Sequence, residues 1–265
     1  MNCTEFVLVG GCSDAQVVCS PGTALDDAWR FGDGQWTKLT TPPFQGRGMA
    51  SMAYDTRDGV VVLFGGIGCG SVCGDTREFV AGGWTMVSGS VTPSPRYGAA
   101  MAYDPNSSEE RLLLAGGMTA GGVALEDHWF FSLPQGWILG ASSSPWSPRA
   151  NSGMTYDPVI GGMLMMGGQG GAQLVSSGVW EFTTYWNRVG TLPSGAARWG
   201  LGLEFDPTAG VEGYVLLFGG SFTSGVSLAM AGQGDTWSIS RPLLNPLLVP
   251  PGGSLILWND LTLDV

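Results

Sequence analysis

Short apolar runs recur along the chain, and most of them end on a pair of glycines. The stretch from Met52 reads M-A-Y-D-T-R-D-G-V-V-V-L-F-G-G: two apolar runs, a polar turn between them, and a double glycine. The phrase returns as Met101-Ala102-Tyr103-Asp104 with Leu112-Leu113-Leu114-Ala115-Gly116-Gly117, then as Met154-Thr155-Tyr156-Asp157 with Met163-Leu164-Met165-Met166-Gly167-Gly168. A further copy is Leu203-Glu204-Phe205-Asp206 with Val215-Leu216-Leu217-Phe218-Gly219-Gly220, and a headless one opens the chain as Phe6-Val7-Leu8-Val9-Gly10-Gly11. Runs of this length with alternating or continuous apolar positions predict strands, and the glycine pairs permit sharp departures that a side chain would block.

The second glycines stand at 11, 66, 117, 168 and 220, spaced 55, 51, 51 and 52 apart. A repeat near that length, built of short strands and turns, is the sequence signature of a propeller. Four strands are predicted per unit: residues 47–54, 60–64, 76–80 and 84–87 in the second, with equivalents from residues 96, 149 and 198. The first unit begins at its double-glycine strand and continues through Ala28-Trp29-Arg30-Phe31 and the Gly32-Asp33-Gly34 turn. The repeats span about residues 1–45, 46–95, 96–148, 149–197 and 198–240. Residues 241–265 read as a proline-rich tail with two short apolar runs, 255–258 and 261–265. The tail is expected to supply the strands missing from the first and last units, in this chain or in a neighbouring copy, or to lead into another domain.

These motifs (A-Y-D, an apolar run ending in Gly-Gly, then Asp-x-Trp and a further Trp) resemble the kelch repeat from about residue 6 to 240. The resemblance implies an all-β, kelch-type propeller of about five four-stranded antiparallel blades, or a fragment of a larger ring, since kelch rings usually have more blades. Copper sites on kelch propellers use more than one histidine, and this chain has only His128. Iron sites of the Glu, Asp, His type are not matched either, because Glu126, Asp127 and His128 are consecutive and strand neighbours alternate faces. No cofactor or metal is therefore expected.

Arg47, Arg96, Arg149 and Arg198 head the first strand of their units, and Asp27, Asp75, Asp127 and Asp235 precede the third, with Gly178 in that place in the fourth. One reading is a ring of arginines lining a funnel for acidic ligands. The other is an Arg–Asp clamp that holds blades together, favoured because a residue repeated in every unit serves what every unit shares. The recurring tryptophans are likewise expected to pack the core, and Arg77 replaces the tryptophan of the second unit.

Charge narrows the partners. Among 265 residues there are 22 acidic and 11 basic side chains, for a net charge of −11, with Lys38 the one lysine. Such a surface repels phosphate backbones, so nucleic acid is excluded as a partner. No apolar run reaches membrane-spanning length, because Pro242, Pro246, Pro250 and Pro251 interrupt the best candidate, so membrane insertion is not expected. Cys12 and Cys19 follow the first double glycine and Cys69 and Cys73 the second, which predicts two local disulfides; free thiols or a metal clip are the alternatives. Cys3 is left odd. Asn2 and Asn106 head glycosylation sequons, Asn106 in a predicted turn. Residues 1–11 lack the basic start of a secretory signal, so an extracellular chain would be a mature form or a fragment.

The function these readings predict is a non-catalytic, extracellular or cell-surface scaffold. It would bind a protein or glycan through the loops after each double glycine, because repeated strands carrying varied loops mount specificity on a frame. Two alternatives are a structural subunit forming a homo-oligomer through its C-terminal tail, and a sugar-active enzyme.

Overall fold

The computed structural model describes residues 5–13, 19, 22–106, 111–170, 174–193, 196–208, 213–221 and 236–239. These form eighteen strands and no helix. Each repeat folds as its own antiparallel meander. The first sheet holds β1 (Phe6–Val9), β2 (Ala28–Gly32) and β3 (Gln35–Lys38). The second holds β4 (Ser51–Asp55), β5 (Val60–Phe64), β6 (Thr76–Val80) and β7 (Gly83–Val87). The third holds β8 (Ala100–Asp104), β9 (Arg111–Ala115), β10 (His128–Ser132) and β11 (Gly136–Ala141). The fourth holds β12 (Ala150–Asp157), β13 (Gly162–Gln169), β14 (Gly178–Phe182) and β15 (Trp186–Thr191). The fifth holds β16 (Gly202–Asp206), β17 (Tyr214–Phe218) and β18 (Thr236–Ile239).

The three central sheets are four-stranded, as propeller blades are, and the two terminal sheets show three strands among the described residues. Inner strands of successive blades, β4 with β8, β8 with β12 and β12 with β16, lie against one another. The core is a series of layers between blades rather than one central mass. Val62, Phe64, Leu112, Leu114, Phe131 and Trp137 fill the layer between the second and third. The next layer includes Leu113, Met163, Met165, Trp146, Trp180 and Trp186, and the last includes Leu164, Met166, Leu203 and Leu217. Strands buried on both faces explain why the double-glycine runs are continuously apolar instead of alternating.

The repeated Asp works as a turn cap. The Asp55 carboxylate accepts from the backbone N–H of Arg57 at 3.0 Å and of Asp58 at 3.2 Å, and Asp104, Asp157 and Asp206 accept from Asn106, Val159 and Thr208 in the same way. This is the Asx-turn chemistry that short carboxylates supply between strands.

One expectation is corrected. The repeated arginines do not begin the inner strands in three of the four blades: β4, β8 and β16 start four residues after Arg47, Arg96 and Arg198, at Ser51, Ala100 and Gly202. The intervening backbone is committed elsewhere. The residue two places after each arginine (Met49, Gly98, Asn151, Gly200) has a positive φ of 54 to 66° and turns the chain toward the axis. There the N–H of Gly98 donates to the carbonyl of Met49, Asn151 to Gly98, and Gly200 to Asn151.

Candidate functional site

The double glycines build the joint between blades. Both residues of each pair have positive φ, from 65 to 121°. The second glycine of one blade donates its N–H to the carbonyl of the next blade's arginine: Gly11 to Arg47, Gly66 to Arg96, Gly117 to Arg149 and Gly168 to Arg198, at 2.8 to 2.9 Å. A Cβ on the first glycine of a pair would collide with that same carbonyl oxygen, as at Gly65 with Arg96 and Gly116 with Arg149. Only glycine allows both the left-handed backbone and the close approach.

Each arginine side chain then turns back into its own blade. Arg47, Arg96, Arg149 and Arg198 are 0 to 3% exposed, which removes them from the wall of an open funnel. Their Nη1 atoms donate to the carbonyls of Gly65, Gly116, Gly167 and Gly219. Arg47 also holds Asp75 through two bonds of 2.6 and 3.1 Å, and Arg96 holds Asp127 through two of 2.6 and 2.8 Å. Burial alone would raise both carboxyls, but the bonds and charge of the arginines outweigh it and hold Asp75 and Asp127 below the ordinary carboxylate range. The second oxygen of Asp127 accepts from the Trp129 indole at 2.7 Å. Asp75 takes the same donation from Arg77 at 2.7 Å, so Arg77 replaces the tryptophan's hydrogen bond as well as its position. Asp27 accepts from Trp29 at 2.8 Å. Asp235 lies outside the described residues, as does Asn2.

Above these joints stand the loops at residues 67–75 and 118–127 and, in the fourth blade, residues 174–177. Cys69 and Cys73 lie at disulfide geometry in the first, with Cα atoms 5.9 Å apart, and Cys12 and Cys19 do the same after the opening double glycine, at 5.2 Å. Loop tips expose apolar side chains: Val123 is 61% and Leu174 71% accessible. Asn106 is exposed in the β8–β9 turn.

A second concave feature has no counterpart in the sequence analysis. A cleft of about 520 Å³ opens between the third and fourth blades, lined by Arg111, His128, Phe130, Ser144, Tyr185 and Trp186 among others. The Arg111 guanidinium lies 3.5 Å over the Phe130 ring, and Tyr185 is 65% exposed at the rim. His128 is buried, packed by Phe130, Phe182 and Trp186. The Trp186 indole N–H donates to His128 Nδ1 at 3.4 Å, which places the imidazole proton on Nε2, and the Ser144 hydroxyl lies 3.1 Å from the same Nδ1. Burial, with Arg111 adding to it against the pull of Asp127, lowers His128 to about 4. A base that weak extracts a serine proton poorly at neutral pH, and Asp127, the neighbouring acid, is already held by Arg96 and Trp129. His128 is therefore a neutral wall of the cleft. Gly140 is the signal that marks this place in the sequence: a Cβ there would strike the His128 and Phe130 rings, and a lone glycine inside a strand often means such close approach. Among the described residues no cluster of His, Cys, Asp and Glu is arranged to hold a metal ion, and no helix is long and apolar enough to cross a membrane.

No family model matches the chain, and no curated protein matches it. Its fold does match: 181 chains of known structure resemble it. One is described as "Structure of YjhT", with a TM-score of 0.66 over 90% of this chain and 79% of that one, at 15% identity. The class is thus an all-β, propeller-like protein of four-stranded antiparallel blades. At that identity YjhT defines the fold of this chain and nothing of its chemistry.

Proposed function

We propose that this chain is a non-catalytic propeller of the kelch type, secreted or displayed at the cell surface, which binds a protein or glycan through the loops after its double glycines. One observation carries the reading. The bases of these loops are tied by the same main-chain bonds in blade after blade, while their tips differ and expose Val123 and Leu174. A rigid frame under variable, partly apolar tips is suited to recognition. The two cysteine pairs support an oxidising compartment, and exposed Asn106 supports glycosylation there.

The test is a screen of the intact chain against a glycan array and a displayed peptide library, repeated with V123D and L174D. Binding lost in both variants agrees with the loop face. Binding that survives them and is lost with Y185A moves the function to the cleft between blades, and turnover of an array glycan replaces it with the enzyme reading.

A second reading, a homo-oligomeric structural subunit, is favoured by the first blade. Among the described residues no strand pairs the inner edge of β1, where the other blades carry their first strand, and Phe6 and Leu8 are 61 and 51% exposed. Open apolar edges invite a strand from another chain. Light scattering that returns a monomer at all concentrations removes this reading.

A further inference from the structure

In the third blade, Arg96 makes five bonds. Its Nε donates to the Ser94 carbonyl (3.0 Å), its Nη2 to the Ser94 hydroxyl (2.9 Å), its Nη1 to the Gly116 carbonyl (2.9 Å), and Nη1 and Nη2 together to the Asp127 carboxylate. Arg149 in the fourth blade reproduces the neutral part atom for atom: Nε to the Ser147 carbonyl (3.0 Å), Nη2 to the Ser147 hydroxyl (3.1 Å), Nη1 to the Gly167 carbonyl (3.2 Å). The carboxylate is missing, because Gly178 stands where the other blades have Asp. Arg149 is 3% exposed and has no acidic partner among the described residues, and the charge acting on it is another cation, Arg188. Burial and Arg188 lower it to about 10, so it stays protonated at neutral pH.

Trp180 repeats the pattern. In the first and third blades the indole two residues after the Asp donates to that carboxylate. The Trp180 Nε1, in a side chain 9% exposed, is buried with no hydrogen-bond partner among the described residues. It faces the bare Cα of Gly178, so that a Cβ there would lie 2.6 Å from it. Two buried donors, one of them charged, thus converge where a carboxylate sits in the sister blades. Such groups are costly to leave unmatched. In the sister blades the carboxylate that fills this place is itself partly exposed, Asp75 to 20% and Asp127 to 17%.

We propose that the fourth blade is a binding site for a planar carboxylate carried by a small molecule, which Arg149 grips through both Nη atoms and Trp180 through its indole N–H. The missing Asp makes the fourth spoke a receptor where the second and third are closed clamps. The shared chemistry is a single carboxylate, whether free or attached to a sugar, and it does not depend on the loop-face reading.

The experiment is a titration of the intact protein with sodium acetate, and separately with sodium glucuronate, at ionic strength held constant with sodium chloride. The readouts are the Trp180 indole N–H resonance, assigned by its loss in W180F, and the melting temperature. The expected result is a saturable movement of that resonance by acetate and a rise in Tm of about 2–4 °C near saturation. Both responses vanish in G178D, which supplies the carboxylate internally, and in R149M. Glucuronate acting at lower concentration than acetate identifies a sugar-borne carboxylate, and equal potency identifies a free one. Chloride moving the resonance equally overturns the carboxylate. An unmoved resonance overturns the site, as does a response that persists in G178D or R149M. Should either variant fail to fold, the wild-type titration still decides.

Discussion

At the residue scale, the fourth blade provides its own control for the second and third. Replacing Arg96 with Ala leaves Asp127 without its bidentate partner and is expected to cost about 3 kcal/mol. Arg149→Ala strands no carboxylate and is expected to cost about 1 kcal/mol. Urea denaturation of the two variants checks this, and equal losses would show that the carboxylate contributes little. His128 sets a pH dependence. Its folded-state pKa of about 4 lies below the ordinary value of about 6.5, so the unfolded chain binds the proton more readily. The stability it contributes is complete above pH 6.5 and is lost as pH falls toward 4, roughly 3 kcal/mol in all. Thermal melts between those limits should show a steeper decline for the wild type than for H128Q. A matched slope in the two proteins would reject a buried neutral histidine. The sequence showed that Arg and Asp recur, but only coordinates show that Arg47 and Arg96 reach the Asp of their own blade. For the same reason the sequence shows that Arg77 stands in a tryptophan's place but not that it keeps the hydrogen bond to the Asp that Trp29 makes in the first blade.

At the scale of the element, the glycine pair separates backbone freedom from contact. Gly116 and Gly122 both have positive φ, at 65 and 74°. A side chain on Gly116 meets the carbonyl of Arg149, whereas one on Gly122 meets open space. Gly122→Ala is expected to cost about 1 kcal/mol for the left-handed conformation alone. Gly116→Ala adds a blade displacement and a lost hydrogen bond, for at least about 2 kcal/mol in total. Differential melts of the two variants decide it, and similar values would mean that the joint between blades yields easily. Most strand bounds were legible because apolar runs and glycines mark them directly. The starts of the inner strands were not, because residues 47–50 and their equivalents are apolar enough to read as strand while their main chain serves the neighbouring blade. Of the cleft only Gly140 leaves a mark in the sequence, for a related reason: the cleft joins β10 and β11 to the β14–β15 turn, and no local pattern records which faces meet.

At the scale of the molecule, the stapled loops and the acidic surface bear on the whole. Closing loops of seven and four residues' separation stabilises the fold by roughly 2–3 kcal/mol each. Dithiothreitol should therefore lower the melting temperature, and C69S/C73S should lose part of that sensitivity. A reduced protein melting with the oxidised one would show that the pairs are not closed in solution. Repetition itself was the clearest message of the sequence, since five glycine pairs near a fifty-residue spacing predict five sheets and five are described. Closure lies beyond it, because residues 241–265, on which the expectation of completing strands falls, are outside the described part.

The short chain of bonds at the axis has a direction. Every link runs the same way, from the amide of a later blade to the carbonyl of the one before it, through Met49, Gly98, Asn151 and Gly200. A one-way chain has two different termini, and among the described residues they are the amide of Met49 and the carbonyl of Gly200. Whatever completes the circle must therefore face both ways at once, accepting from Met49 and donating to Gly200. Its linking residue must adopt the left-handed conformation shared by the other four, which makes glycine or asparagine the natural occupant. Handedness and polarity at one point thus specify the closing segment, whether it comes from this polypeptide or from another copy.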